Sequence, residues 1–143
     1  MLGMTVGLAA DGVKLLFNYL AFQLGFTKVL FWQIVAARFL DPEELFQPLA
    51  YLVGGVADLT IAALLGTVFV YLLDGIRREY RWVKGAGFGL VVWVILLGTL
   101  LNQTAPKGLP ISGATMVVTF LAHLLFGLAL AGFDRAWVRN RAG

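Results

Sequence analysis

Cysteine is absent from this 143-residue chain, which excludes disulfides, thiolate nucleophiles and cysteine-held metal or iron–sulfur centres. Histidine occurs once, at His123, so no His-rich metal spacing can form. Neither G-x-S-x-G nor H-E-x-x-H is present, which removes the commonest sequence signs of hydrolytic or acyl-transfer chemistry. Charge is scarce as well, at 13% of residues where a soluble domain carries roughly a quarter. The segment from Gly108 to Phe133 contains no Asp, Glu, Lys or Arg, and His123 stands alone inside it.

What remains is 60% apolar and includes 17 glycines. Such a composition suits lipid as solvent, where Gly is tolerated in helices that pack closely. A span of the hydrocarbon layer takes about 20 apolar residues as helix. Four segments approach that length, at about 2–22, 49–73, 85–101 and 111–133. The expectation is an all-α polytopic membrane protein, a single integral domain over 1–143 built as a bundle of four transmembrane helices. A further apolar stretch at about 25–40 is bracketed by Lys28 and Arg38 and is short for a span. It is expected as an additional interfacial or re-entrant helix. Asp41-Pro42-Glu43-Glu44 then fits the opening turn of a new helix. No Lys or Arg precedes the first apolar run, so the chain is expected to be retained from Met1 onward rather than cleaved as a signal.

Orientation follows from the basic residues. The loop after the second span and the C-terminal tail hold seven of the eleven Lys and Arg residues, and the opposite loops hold Lys28, Arg38 and Lys107. The basic side faces the cytoplasm, so both termini are expected inside, in a multi-pass cell (inner) membrane protein. Tyr80, Trp82 and Trp137 fit an aromatic belt at headgroup depth. That position points these basic, aromatic segments at the lipid bilayer, and no nucleic-acid partner is expected.

Residues four apart on a helix share a face. Gly54, Asp58, Ala62 and Gly66 form one such stripe; Thr119, His123, Gly127 and Ala131 form another; Gly3, Gly7 and Asp11, and Gly85, Gly89 and Trp93, complete the set. Small stripes let helix backbones meet, so Gly54, Gly66, Gly89 and Gly127 are candidate packing positions. Gly85-x-Gly87-x-Gly89 opens a helix without a preceding strand, so it reads as close packing and not as a phosphate loop. The intramembrane polar candidates are Asp11, Lys14, Asp58 and His123. An ionised carboxylate in a membrane costs at least ~2.5–3.5 kcal/mol, so Asp58 needs a partner. His123 is the most economical one, and such a pair would titrate near neutral pH. Otherwise Asp58 bonds within its own span and His123 a backbone carbonyl. Asp11 and Lys14, three apart, can neutralise each other, with Lys14 snorkelling to an interface and Asn18 extending a polar seam.

Lys84–Val94 (KGAGFGLVVWV) and Ala122–Ala136 (AHLLFGLALAGFDRA) resemble the YqhR-like and YagU-like families of small bacterial inner-membrane proteins. The resemblance rests on Lys84-Gly85, Trp93 and the run from His123 to Gly127. It implies a bacterial source and four helices, brings no catalytic residues, and carries a suggested link with acid tolerance for part of the group. The expected role is a non-enzymatic accessory, structural or stress-related membrane component without a cofactor, packing as a homodimer or in a larger membrane complex. Two alternatives stand beside it. One is a small proton-coupled or solute transporter working as a dimer. The other is a cofactor-holding subunit in which His123 ligates a haem or chlorin metal.

Overall fold

The computed structural model describes residues 1–75, 79–104 and 109–141, except for the side chains of 100–104, 140 and 141. Residues 105–108 of the expected polar turn, Arg77 and Arg78 of the basic loop and the last two residues lie outside the described residues. The described residues form five α-helices and one short 3-10 turn: α1 (Leu2–Gln23), α2 (Phe31–Ala36), the turn Pro42–Glu44, α3 (Pro48–Gly75), α4 (Arg81–Thr104) and α5 (Gly113–Arg141). Among the described residues there is no strand.

Among the described residues, three helices are long and apolar enough to cross a membrane, over Pro48–Gly75, Arg81–Thr99 and Gly113–Arg139. The expected span at 49–73 falls within α3, 85–101 within α4, and 111–133 largely within α5, which runs on through the basic tail. The segment expected at 2–22 is α1, 22 residues long, but Asp11, Lys14 and Asn18 lower its hydropathy and it is not among the three. The outward surface is apolar: Leu16, Leu52, Val56, Leu64, Val91, Val94, Ile95 and Val117 are all exposed. Water would penalise so continuous an apolar exterior. Asp11 and Lys14 of α1 and Asp58 of α3, by contrast, are buried.

Contacts fix the order of the helices. α1 packs along α3 on one side and α5 on the other, α4 packs on α5, and α3 and α4 scarcely meet. Neighbouring long helices run antiparallel, so the start of α1, the end of α3, the start of α4 and the end of α5 share one end of the molecule. Small residues make the closest approaches. A Cβ on Gly66 would strike the backbone of Gly3 and Gly7, and one on Gly7 the carbonyl of Ala62. At the α4–α5 seam, a Cβ on Gly89 would strike the carbonyl of His123, and one on Gly127 that of Gly85. Gly87, which the sequence groups with Gly85 and Gly89, has nothing within 4 Å; it faces away because i+2 lies across a helix from i. The two positions therefore predict opposite effects. Gly87→Ala should raise stability by about 0.5–1 kcal/mol through reduced backbone entropy, whereas Gly89→Ala should lower it. Detergent–SDS unfolding followed by circular dichroism reads both, and equal behaviour would contradict the seam.

The segment expected as an interfacial or re-entrant helix at 25–40 is helical over a shorter stretch. Only Phe31–Ala36 is α-helical, and five of those six residues are buried. An interfacial helix would leave one face to solvent or lipid. This one instead wedges between α3 and α4, where Ile34, Ala36 and Ala37 pack with Leu45, Ala50 and Leu97. Gly54 permits the wedge, since a Cβ there would meet the Trp32 carbonyl. Helix starts leave unsatisfied N–H groups, and side chains serve these: Asn18 Oδ1 accepts from Phe31 N at 2.9 Å and Gln33 Oε1 from Leu30 N at 2.8 Å. Gln33 also donates to the Leu45 carbonyl at 3.1 Å, and Thr27 meets Thr115 of α5 at 3.1 Å. At the other end, fully buried Asp134 lies 3.7 Å from Arg81 and ties α5 to the start of α4.

Candidate functional site: a buried ionic cluster

Asp11 and Lys14 lie on one face of α1, three residues apart, as their spacing requires. The glycine contacts between α1 and α3 bring Asp58 opposite that face. Lys14 Nζ then sits 2.6 Å from Asp11 Oδ1 and 2.6 Å from Asp58 Oδ1. Trp32 of α2 donates its indole N–H to Asp58 Oδ2 at 3.2 Å. The ammonium also lies over the Phe31 ring, 4.2 Å from its centroid, with Phe126 of α5 at 5.8 Å. Aromatic faces at such distances attract a cation, more strongly once water is gone.

Water is gone. Asp11 is 0%, Lys14 4% and Asp58 4% exposed. One ammonium therefore faces two carboxylates, and the two acids are served unequally. Asp58 accepts hydrogen bonds on both oxygens. Neither oxygen of Asp11 receives an aligned hydrogen bond from the described residues, and Oδ1 is held by ion-pair contact alone. The Asn18 amide nitrogen is likewise buried without an acceptor.

The expected Asp58–His123 couple is not formed, and the reason is the helix order. α1 stands between α3 and α5, so the nearest cation to Asp58 is Lys14. His123 is 1% exposed; its Nδ1 lies 2.8 Å from the Thr119 carbonyl, and since a carbonyl only accepts, Nδ1 carries the hydrogen. Its ring packs against Phe31 at 5.4 Å between centroids, and Phe31 thereby separates the imidazole from the ammonium. Lys14 does not snorkel either, because two inward acids hold it more strongly than an interface could. Asn18 does extend the seam, but its oxygen serves the start of α2.

The structure thus brings together Asp11, Lys14 and Asp58 and leaves His123 one aromatic ring away. Phe31 and Trp32 are the members the sequence did not point to. Their only signal was aromatic character between two charges, which is no guide to a fold-back. A cavity of about 220 Å³ opens where α3 and α4 diverge, lined by residues that include Val35, Arg38, Asp58, Ile61 and Leu96. Of the cluster, it reaches Asp58 and Phe31. Among the described residues, no group of three or more His, Asp or Glu side chains could hold a metal ion. No family model, curated protein or solved structure matches this chain.

Proposed function

We propose that the chain is a multi-pass integral membrane protein with four spans, α1 included, and that it works as a small proton-coupled or solute carrier. Three apolar helices support the membrane assignment. α1 joins them because its charges are turned inward and mutually neutralised while it lies between α3 and α5. The stretch around α2 is then re-entrant: irregular backbone at membrane depth is tolerated only when buried and hydrogen-bonded, as Asn18, Gln33 and Thr27 make it here. The basic residues gathered at one end, Arg81, Lys84, Arg135 and Arg139, support a reading in which both termini face the cytoplasm. Four helices enclose little space, which favours a dimer.

The observation that carries the transport reading is the cavity reaching Asp58. Ionisable groups inside a membrane mark substrate and ion pathways, and a purely structural ion pair needs no access route. The closed glycine seams favour a second reading, a non-enzymatic accessory component held by packing alone. The cofactor-holding alternative draws no support from an imidazole this enclosed.

Because the chain has no cysteine, single thiols separate the two surviving readings. Only a water-exposed thiol forms the reactive thiolate. Val35→Cys, Ile61→Cys and Leu96→Cys should therefore react with a charged, membrane-impermeant thiol reagent, whereas lipid-facing Val91→Cys should not. If all three cavity positions stay unlabelled from both faces, the carrier reading fails and the packing reading stands.

A further inference from the structure

We infer that the cavity between α2, α3 and α4 is a binding site for a small apolar α-amino acid, its ammonium on Asp58 and its carboxylate on Arg38. The inference rests on the carrier reading and names its substrate class. Three properties of the cavity argue for it. Its walls carry one anion and one cation, Asp58 and Arg38, and the surface between them is largely aliphatic and aromatic, from Val35, Phe39, Ile61 and Leu96. A zwitterion with an apolar side chain complements that distribution of charge. The volume, about 220 Å³, falls below the roughly 300 Å³ at which pockets for drug-sized ligands begin, so the occupant is small. Arg38, exposed and without an ion pair among the described residues, has its planar fork of donors free for a carboxylate.

The cluster behind the cavity is organised to release Asp58. A ligand ammonium arriving at Asp58 must displace the Lys14 ammonium, which in isolation would strand a buried cation at prohibitive cost. Asp11 prevents this. It already lies 2.6 Å from Lys14 Nζ, and it holds a carboxylate oxygen in reserve, Oδ2, that no donor in the described residues occupies. Lys14 can settle wholly on Asp11 while Phe31 keeps covering it. The half-satisfied Asp11 is otherwise difficult to explain, since buried polar atoms without partners are rare. The Trp32 N–H stays on the other oxygen of Asp58 and holds the carboxylate toward the cavity.

The test uses the full chain in lipid nanodiscs, titrated with the common L-amino acids by calorimetry and by thermal unfolding. At least one apolar amino acid should bind and raise the Tm. Its amide, which lacks the carboxylate, and its N-acetyl form, which lacks the ammonium, should each bind about tenfold more weakly or worse, the loss of one charge-assisted contact. Arg38→Gln, at an exposed position that leaves the fold intact, should weaken binding of the parent amino acid to a similar extent and leave the amide unaffected. The same amino acid should slow thiol labelling of Ile61→Cys. The inference is overturned if no amino acid binds, if both derivatives bind as well as the parent, if Arg38→Gln binds unchanged, or if a phospholipid retained through purification fills the cavity. Ile61→Cys labelling without any amino-acid binding would sink the substrate class and leave the carrier reading intact. Failure of labelling at all three positions would remove both.

Discussion

Lys14→Met should be the most damaging single substitution in the molecule, destabilising it by about 3–5 kcal/mol, the usual cost of breaking a buried ion pair by removing one partner. Methionine keeps most of the volume, so the loss is electrostatic. Two carboxylates would be left without a counter-charge inside a site where neither is more than 4% exposed. Asp58→Asn should cost much less, because Lys14 and Asp11 remain as a one-to-one pair and the Trp32 N–H still finds an oxygen. The triple replacement Lys14→Met, Asp11→Asn, Asp58→Asn should recover most of the stability, since no unpaired charge survives. Reversible SDS unfolding measures all three. A Lys14→Met protein within about 1 kcal/mol of the parent, which is the ceiling for an exposed pair, would show that water reaches the cluster in the membrane and screens its charges.

Gly66→Leu should have the second largest effect, about 3 kcal/mol or more, at the upper end for overpacking. The obstacle is backbone: a Cβ at this position meets Gly3 and Gly7, and backbone cannot rotate aside as a side chain can. α1 would be forced off α3, drawing Lys14 away from Asp58 and adding part of the electrostatic loss to the steric one. Gly12→Leu is the matched control, because Gly12 lies on the same pair's outer side with nothing within 4 Å. It should unfold at nearly the same SDS fraction as the parent. If the two variants prove equally stable, the α1–α3 seam is not where the glycine stripes place it.

The two experiments probe different layers of legibility. The stripes were readable because small residues four apart must share a face, and the contacts of Gly54, Gly66, Gly89 and Gly127 follow from that local rule. Asp11 and Lys14 were readable as a pair for the same reason. Gly87 was misgrouped by a short motif that helical geometry splits across two faces. The bond between Asp58 and Lys14 is of another kind. It spans 44 positions and depends on which helix stands beside which, and several arrangements of four helices bury the same stripes.

Sequence by itself determined the helical class and the apolar outer faces: apolar runs of these lengths, with so few charges inside them, call for long helices whose scarce mid-helix charges turn inward. It also determined that Asp58 could not stay alone. Only the tertiary structure decided who answers it, by setting α1 between α3 and α5 and by folding Phe31–Ala36 into the gap between α3 and α4. Hydropathy is a property of each residue and is read locally, whereas the neutralisation of a buried charge is settled by whatever the packed backbone brings within hydrogen-bonding distance.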